Sequence, residues 1–532
     1  MMLHVRKRDD MPLVLSDSWR GTIMTQTVSI SDLMASSRVA FGTSGARGRV
    51  DDMTDLVCFA YVCGFLQHLR AIGQFAQGMH VALAGDLRPS TPRIVAACAA
   101  AVRHMGGEPD HCGQVPSPAV AAYGFASGIP SIMVTGSHIP ADRNGIKFNR
   151  CDGEVLKPDE AAMRSQCVVL PDLFDQRGML RSPGETGPVV DVASAYVARY
   201  TRFFGPRALE GLKLGVYEHS AVGRDIVVAI VEGLGAQVVR LGRSDVFIPV
   251  DTEAVRPEDQ ALALEWSKSC GLDAILSTDG DSDRPLLADE TGQWMRGDVL
   301  GILCAQALGI EAVAAPVSCN SALELSRLFA MVRRTRIGSP YVIEAMNALI
   351  GGNVSACGYE ANGGFILGTP VVQNGRHLAA LPTRDALLPM LAVLAAARRD
   401  GVGLSQLQAR LPARYTFSDR VQECPTSASL ALLAWLEDGE PDAVLGRLGE
   451  MFGTIAGAAV AFDTTDGLRI TFEQGDIIHL RPSGNAPELR CYTECDSAQR
   501  AVSLNAQALA LVLAHIQETM RVTQGATGQA GS

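Results

Sequence analysis

Apolar and polar positions along the chain fall into an arrangement that recurs. Residues 81–86, Val-Ala-Leu-Ala-Gly-Asp, read as a buried strand. Thr91 and Pro92 then read as the cap and first residue of a helix over 94–105, stopped by Gly106 and Gly107. A second copy has a strand over 213–217, a helix capped by Ser220 and running to Leu234, a stop at Gly235 and a strand over 237–241. A third has a strand over 314–318 and a helix over 322–333 that leads into Thr335-Arg336-Ile337-Gly338. Strand, capped helix, strand, repeated at intervals of roughly 100 to 130 residues, predicts three related α/β domains. The last part differs: strands over 468–472 and 476–480 joined by a Gln474-Gly475 turn, a strand over 489–494, and an amphipathic helix over 498–520. That pattern predicts a smaller α+β domain. The expected segments are an unstructured extension over 1–38 (with Met24 an alternative start), domains over 39–190, 191–300, 301–412 and 413–522, and a disordered tail over 523–532.

Length agrees with several cores, since 532 residues exceed what one core holds. The net charge of -11, with no Lys/Arg-rich run, argues against a nucleic-acid partner. An anionic small substrate then requires Arg and Lys gathered locally against the global charge. The 13 cysteines are odd in number and lack a CxxC pair, so they read as reduced core thiols of a cytoplasmic protein. No apolar run approaches the ~18 residues of a membrane span. Arg6, Lys7 and Arg8 before a short apolar segment resemble a signal peptide only faintly.

Four stretches carry candidate chemistry. Ile132-Met133-Val134 delivers Thr135-Gly136-Ser137-His138-Ile139-Pro140 into a turn, with Lys147 nearby; Ser137 is a candidate nucleophile or phosphate carrier, although an isolated Ser-His pair also fits a plain polar turn. Asp279, Asp281 and Asp283 alternate after the apolar strand around Ile275, giving hard oxygen ligands suited to Mg²⁺, with Arg284 next to them. An EF-hand would need glycine where Arg284 stands and an incoming helix where a strand is predicted. Glu360 and Asn362, set between glycines that include Gly363, could hydrogen-bond sugar hydroxyls or form an ordinary turn. Arg481 and Arg490 bracket Pro482-Ser483-Gly484-Asn485, so guanidinium, hydroxyl, amide and backbone N–H groups could converge on a phosphate; a proline-bounded hairpin is the other reading. Near the start, Gly42-Thr43-Ser44-Gly45-Ala46-Arg47 forms a further candidate anion loop.

In this order the stretches resemble the α-D-phosphohexomutases, whose serine, metal, sugar and phosphate loops read T-A-S-H-N-P, D-G-D-G-D-R, G-E-x-S-G and R-P-S-G-T-E-P. Here they stand as TGSHIP, DGDSDR, GYEANGG and RPSGNAP, and the resemblance covers roughly Val39 to Met520. It implies a four-domain enzyme with a central cleft and mixed sheets in the first three domains. Ser137 would carry a phosphoryl group and, with Asp279, Asp281 and Asp283, hold Mg²⁺. Arg47, Lys147 and Arg284 would supply charge, and His138 would orient the serine loop. Glu360, Asn362 and Gly363 would contact the sugar, and Arg481, Ser483, Gly484, Asn485 and Arg490 the non-reacting phosphate. The implied reaction interconverts mannose 6-phosphate and mannose 1-phosphate through hexose 1,6-bisphosphate, which also serves as activator, and feeds GDP-mannose synthesis. Its partner is a small sugar phosphate, and the chain is a monomer or a dimer. Glucose or glucosamine phosphates are alternative substrates, and a phosphoserine-type sugar phosphatase is a further alternative. Departures from the pattern include Gly136 for alanine, Ile139 for asparagine, Asn362 for serine, and Gly364 where many members have a histidine near the reacting hydroxyl.

Overall fold

Strands Ser131–Val134, Ala274–Thr278, Ala312–Pro316 and Ala356–Tyr359 are buried along their whole length. Continuous apolar runs of this kind belong to sheets covered by helices on both faces. In the computed structural model, which describes residues 26–529 except 43–44, 183, 185, 352–353 and 483–486, they form three mixed sheets. The first sheet runs in the order Ala40–Phe41, Ala46–Arg49, Arg143–Asn149, Ser131–Val134, His80–Gly85, Glu108–Gln114. The second runs Gln237–Leu241, Lys213–Tyr217, Ala274–Thr278, Pro285–Ala288, and the third Met331–Thr335, Ala312–Pro316, Ala356–Tyr359, Phe365–Leu367, Leu381–Asp385.

The three sheets share one feature that positions the site. In each, a strand parallel to its neighbour ends in a turn and the chain returns antiparallel: Ser131–Val134 into Arg143–Asn149, Ala274–Thr278 into Pro285–Ala288, and Ala356–Tyr359 into Phe365–Leu367. The serine, acidic and Glu360 loops are these three turns, at the carboxyl ends of parallel strands, where open α/β sheets place ligands.

The fourth sheet is antiparallel, in the order Tyr415–Val421, Leu489–Cys495, Ile477–Pro482, Leu468–Phe472, Ala459–Asp463. Leu468, Ile470 and Phe472 face the core while Arg469 and Thr471 alternate outward, the pattern of a sheet covered on one side. Helix Ala498–Gln529 supplies the cover through Leu504, Ala508 and Val512. The second and third α/β units share a continuous core, joined where strand Pro285–Ala288 meets helix Leu387–Asp400.

Several expectations change. The segment expected to be unstructured through residue 38 contains strand Gln26–Ser29, paired antiparallel with Cys167–Leu170, and helix Ile30–Ser37, which buries Ile30 and Leu33; residues 1–25 lie outside the described ones. The helix expected over 322–333 covers only Ala322–Leu325, because Arg327 adopts a left-handed φ of 54° and Met331–Thr335 pairs with Ala312–Pro316 as an edge strand. The second-copy helix begins at Arg224, with Gly223 rather than Ser220 at its cap. The tail expected to be disordered from 523 continues as helix to Gln529, with 530–532 outside the described residues. Among the described residues no helix is long and apolar enough to cross a membrane.

Candidate active site

The turn after Ser131–Val134 is held from below. Ser137 adopts φ 55°, an uncommon conformation for a non-glycine residue, and its N–H donates to Thr135 Oγ1 at 2.8 Å. Thr135 Oγ1 donates to Asp86 Oδ2 at 2.7 Å. Arg88, fully buried, donates to the carbonyls of Ser137 (2.8 Å), Ile139 (2.6 Å), Pro140 (2.7 Å) and Arg143 (2.9 Å), and its Nε bonds Asp86 Oδ2 at 3.1 Å. The ring of Phe247 lies 4.0 Å from this guanidinium. One planar cation therefore gathers four loop carbonyls, and the strained serine persists because its surroundings over-determine it.

The acidic turn meets the serine turn directly. Ser137 Oγ donates to Asp279 Oδ2 at 2.6 Å, and Asp279 Oδ1 accepts the N–H groups of Asp283 and Arg284, each at 3.2 Å. A Cβ on Gly280 would lie 2.7 Å from the Ser137 carbonyl oxygen, so the approach of the two loops requires glycine there. Lys147, on the return strand beside Ser137, donates from Nζ to Asp281 Oδ2 at 2.5 Å and Asp283 Oδ2 at 2.6 Å. Ser117, at the start of helix Ser117–Ser127, donates its Oγ to Asp281 Oδ2 at 2.6 Å and its N–H to the Asp281 carbonyl at 2.9 Å.

All three aspartates are buried. Burial pushes the Asp279 carboxyl well above its ordinary range, and the negative charges of Asp281 and Asp283 push it the same way. Burial also acts on Asp281 and Asp283, but Lys147 and the hydrogen bonds from Lys147 and Ser117 hold Asp281 below the carboxylate range, and Arg384 with Lys147 holds Asp283 below it. Asp281 Oδ1 and Asp283 Oδ1 are buried with no hydrogen-bond partner among the described residues. Carboxylate atoms of the three residues lie within 4.8 Å of one another. Orphaned buried oxygens on a cluster of hard carboxylates are what a Mg²⁺ site requires, and the residues present fit that ion.

Cations line the other side. Arg284 Nη1 donates to His138 Nδ1 at 2.8 Å, which leaves that nitrogen an acceptor. Burial and Arg284 push His138 down to about 3, so its ring is neutral; its Nδ1 stands 3.4 Å from Ser137 Oγ. Arg47 lies within the field of Arg284 and Arg384, and burial with these like charges lowers it to about 10.

In the third turn Glu360 and Asn362 are buried. Glu360 Oε2 accepts from Arg384 Nη1 at 3.3 Å. The Asn362 carbonyl accepts from Thr252 Oγ1 at 2.8 Å, while its Oδ1 accepts the Gly364 N–H at 3.0 Å. Gly363, at φ 87°, packs against Pro285 of the neighbouring unit and against Gly297.

The fourth candidate stretch stands on the C-terminal sheet. Arg481 and Arg490 are directly opposed cross-strand partners, and Arg420 opposes Arg490 from the next strand. Three guanidinium groups in one cross-strand row repel unless an anion or carboxylates intervene. Asp466 takes Arg481 at 2.9 Å and Glu488 takes Arg420 at 3.5 Å. Ser483, Gly484 and Asn485 lie outside the described residues. Glu253 and Arg296 face Arg469, His479 and Tyr492 across the space between this sheet and the other units. The serine, acidic and Glu360 turns thus come together by direct contact, while the arginine row stands on its own domain, on the sheet face that carries His479 and Tyr492.

Sequence reasoning missed Arg88, Arg384 and Arg420. Arg88 stands in the turn after strand His80–Gly85 and Arg384 inside strand Leu381–Asp385, both at buried positions where a charged residue is unusual; Arg420 is visible only from strand register.

Comparison with known proteins covers the chain in order. Phosphoglucomutase/phosphomannomutase alpha/beta/alpha domains I, II and III match residues 38–166, 194–292 and 296–415, and the C-terminal domain of the same family matches 437–511. A phosphomannomutase of Salmonella muenchen is 44% identical over 474 residues, 89% of this chain and 95% of its own. A phosphomannomutase of Sinorhizobium fredii is 44% identical over 481 residues, 89% of this chain and 98% of its own. A solved phosphoglucomutase/phosphomannomutase family protein from Burkholderia thailandensis superposes with a TM-score of 0.67 at 20% identity, covering 89% of this chain and 97% of that one, and shows the same fold.

Proposed function

Because the chain belongs to the phosphoglucomutase/phosphomannomutase family of α-D-phosphohexomutases, we propose that it interconverts mannose 6-phosphate and mannose 1-phosphate through a phosphorylated Ser137 and a hexose 1,6-bisphosphate intermediate. The observation that carries the mechanism is the Ser137 hydroxyl, held in a left-handed turn and bonded at 2.6 Å to an aspartate of another domain. Mannose is favoured by the names of the two relatives at 44% identity.

Phosphoryl transfer asks for alignment and charge neutralisation more than for covalent chemistry. The bond between Ser137 Oγ and phosphorus breaks as a sugar hydroxyl oxygen bonds the phosphorus, and in balance the proton that hydroxyl gives up is the one Ser137 Oγ regains. The bisphosphate then turns over in the cleft, and its other phosphoryl group returns to Ser137 Oγ. Lys147, Arg47 and Arg284 face the transferring group with positive charge, Glu360 accepts sugar hydroxyls, and Arg481 with Arg490 holds the phosphate that is not reacting. His138, neutral and engaged by Arg284, orients the turn rather than acting as a base. Ser137, Asp279, Asp281 and Asp283 would hold Mg²⁺, which when bound supplies charge neutralisation at the phosphoryl oxygens.

The test is a coupled mutase assay on the purified protein with Mg²⁺ and a trace of hexose 1,6-bisphosphate, comparing mannose, glucose and glucosamine phosphates. The expected result is isomerisation with the highest kcat/KM for mannose. Equal or faster turnover of glucose phosphates would contradict the substrate assignment. Release of inorganic phosphate in place of isomerisation would contradict the mutase and favour a phosphatase.

A further inference from the structure

Gly364 and Arg384 contend for one space. A Cβ on Gly364 would lie 2.7 Å from Arg384 Cδ and 2.9 Å from Cγ. Those stem atoms are not free to swing aside, because the head of the side chain is fixed. Nε and Nη2 of Arg384 reach Asp283 Oδ2 at 3.1 and 2.9 Å, and Nη1 reaches Glu360 Oε2 at 3.3 Å. The backbone is fixed too. Glu154, buried, accepts from the Arg384 N–H at 3.4 Å and from Thr383 Oγ1 at 2.7 Å, and takes Ser339 Oγ at 2.9 Å. Next in sequence, Asp385 is bonded by the hydroxyls of Tyr196 and Tyr200.

Arg384 is 2% exposed. A guanidinium with this little solvent is costly unless its donors are matched, and here one planar group spans two carboxylates from different domains. Asp283 belongs to the acidic turn and Glu360 to the turn that faces the sugar, so the rigid fork fixes the separation of the two.

We infer that Arg384 is a positioning residue for the mutase reaction, setting Glu360 against Asp283, and that glycine at position 364 is its required counterpart. The inference rests on the phosphohexomutase reading above. It also gives a steric reason why the histidine that many members carry at this point has no room here: the volume and the positive charge at this place come from the strand Leu381–Asp385 instead.

A four-protein cycle tests it: the native protein, Gly364→His, Arg384→Gly, and the double variant. Two quantities are read, kcat/KM for mannose 1-phosphate and, by calorimetry, the affinity of the metal-free protein for mannose 1-phosphate, with Tm followed throughout. Each single change is expected to lower kcat/KM by about 100-fold, the loss that follows a misplacement of reacting groups by about 1 Å. Arg384→Gly is expected to weaken metal-free binding by about tenfold through the released Glu360, and the double variant to recover at least about tenfold of kcat/KM over either single, since residues in contact do not act additively. Native kcat/KM and affinity in Arg384→Gly would overturn the inference, as would single losses that simply multiply in the double. Should Arg384→Gly not fold, Arg384→Lys keeps the charge and loses the fork: KM is expected to rise with Tm held, and unchanged KM would overturn the inference. Absence of turnover in the native protein would instead sink the functional reading itself.

Discussion

A serine hydroxyl is a weak nucleophile until its geometry is fixed, and Ser137 is held at its N–H by Thr135, at its carbonyl by Arg88 and at Oγ by Asp279. The serine turn itself was readable from sequence because strand, glycine, serine, histidine and proline follow one another. Its support was not, since Arg88 lies 49 residues away from Ser137 and nothing local points from one to the other. The support changes how Gly136 is understood. Read against the family pattern, glycine and alanine look interchangeable at this position, yet a Cβ there would lie 2.5 Å from Arg88 Cζ. Arg88 cannot retreat without surrendering the loop carbonyls. Gly136→Ala is therefore expected to cost about 1–3 kcal/mol in chemical denaturation, the usual penalty of overpacking, and to lower kcat. Native stability together with native kcat would contradict the role given to Arg88.

At the scale of elements, legibility followed burial and locality. Strands Lys213–Tyr217, Gln237–Leu241 and Leu468–Phe472 were predicted to the residue, because each is a short apolar or alternating run that stops at a polar or glycine position. The region 322–333 misled because Leu323, Leu325, Leu328 and Phe329 mimic a helical spacing, while the edge strand Met331–Thr335 exists only through its pairing with Ala312–Pro316. Strand Gln26–Ser29 was invisible for the same reason, with its partner Cys167–Leu170 far along the chain. The acidic turn, by contrast, was readable because three alternating aspartates after a buried strand repel one another unless cations neutralise them. Lys147 bridges two of them in this structure and offsets one of the charges. Asp281→Asn is expected to leave Tm within a few degrees, to raise the Mg²⁺ concentration needed for half-maximal turnover by about tenfold or more, and to leave circular dichroism unchanged. Turnover independent of Mg²⁺ would remove this turn from the mechanism.

Across the whole molecule, buried polar contacts tie the first α/β unit to the other two: Ser137 to Asp279, Lys147 to Asp281 and Asp283, Ser117 to Asp281, and Glu154 to Ser339 and Thr383. None of these pairs is legible from composition or periodicity, because each depends on three separate sheets presenting equivalent turns to one centre. The fold also carries a pH signature away from that centre. Burial pushes His479 down to about 4 while its Nε2 donates to the Asp466 carbonyl at 2.6 Å. Unfolded, a histidine titrates near 6.5, so between these values the unfolded chain binds the proton that the folded one refuses. Stability from this group is complete above about pH 6.5 and is lost as pH falls toward 4, at up to about 1.4 kcal/mol per pH unit. His479→Gln keeps an N–H donor without the titration. It is expected to reduce the slope of unfolding free energy against pH by about that amount over the window, and an unchanged slope would contradict the assignment.

The central claim is that Ser137 carries the phosphoryl group, and the most direct measurement is where phosphate resides after the protein is incubated with Mg²⁺ and hexose 1,6-bisphosphate. Peptide mass spectrometry is expected to find it on Ser137, with labelling and turnover both absent in Ser137→Ala. Phosphate on another residue, or a Ser137→Ala variant that keeps most of its mutase activity, would contradict the account.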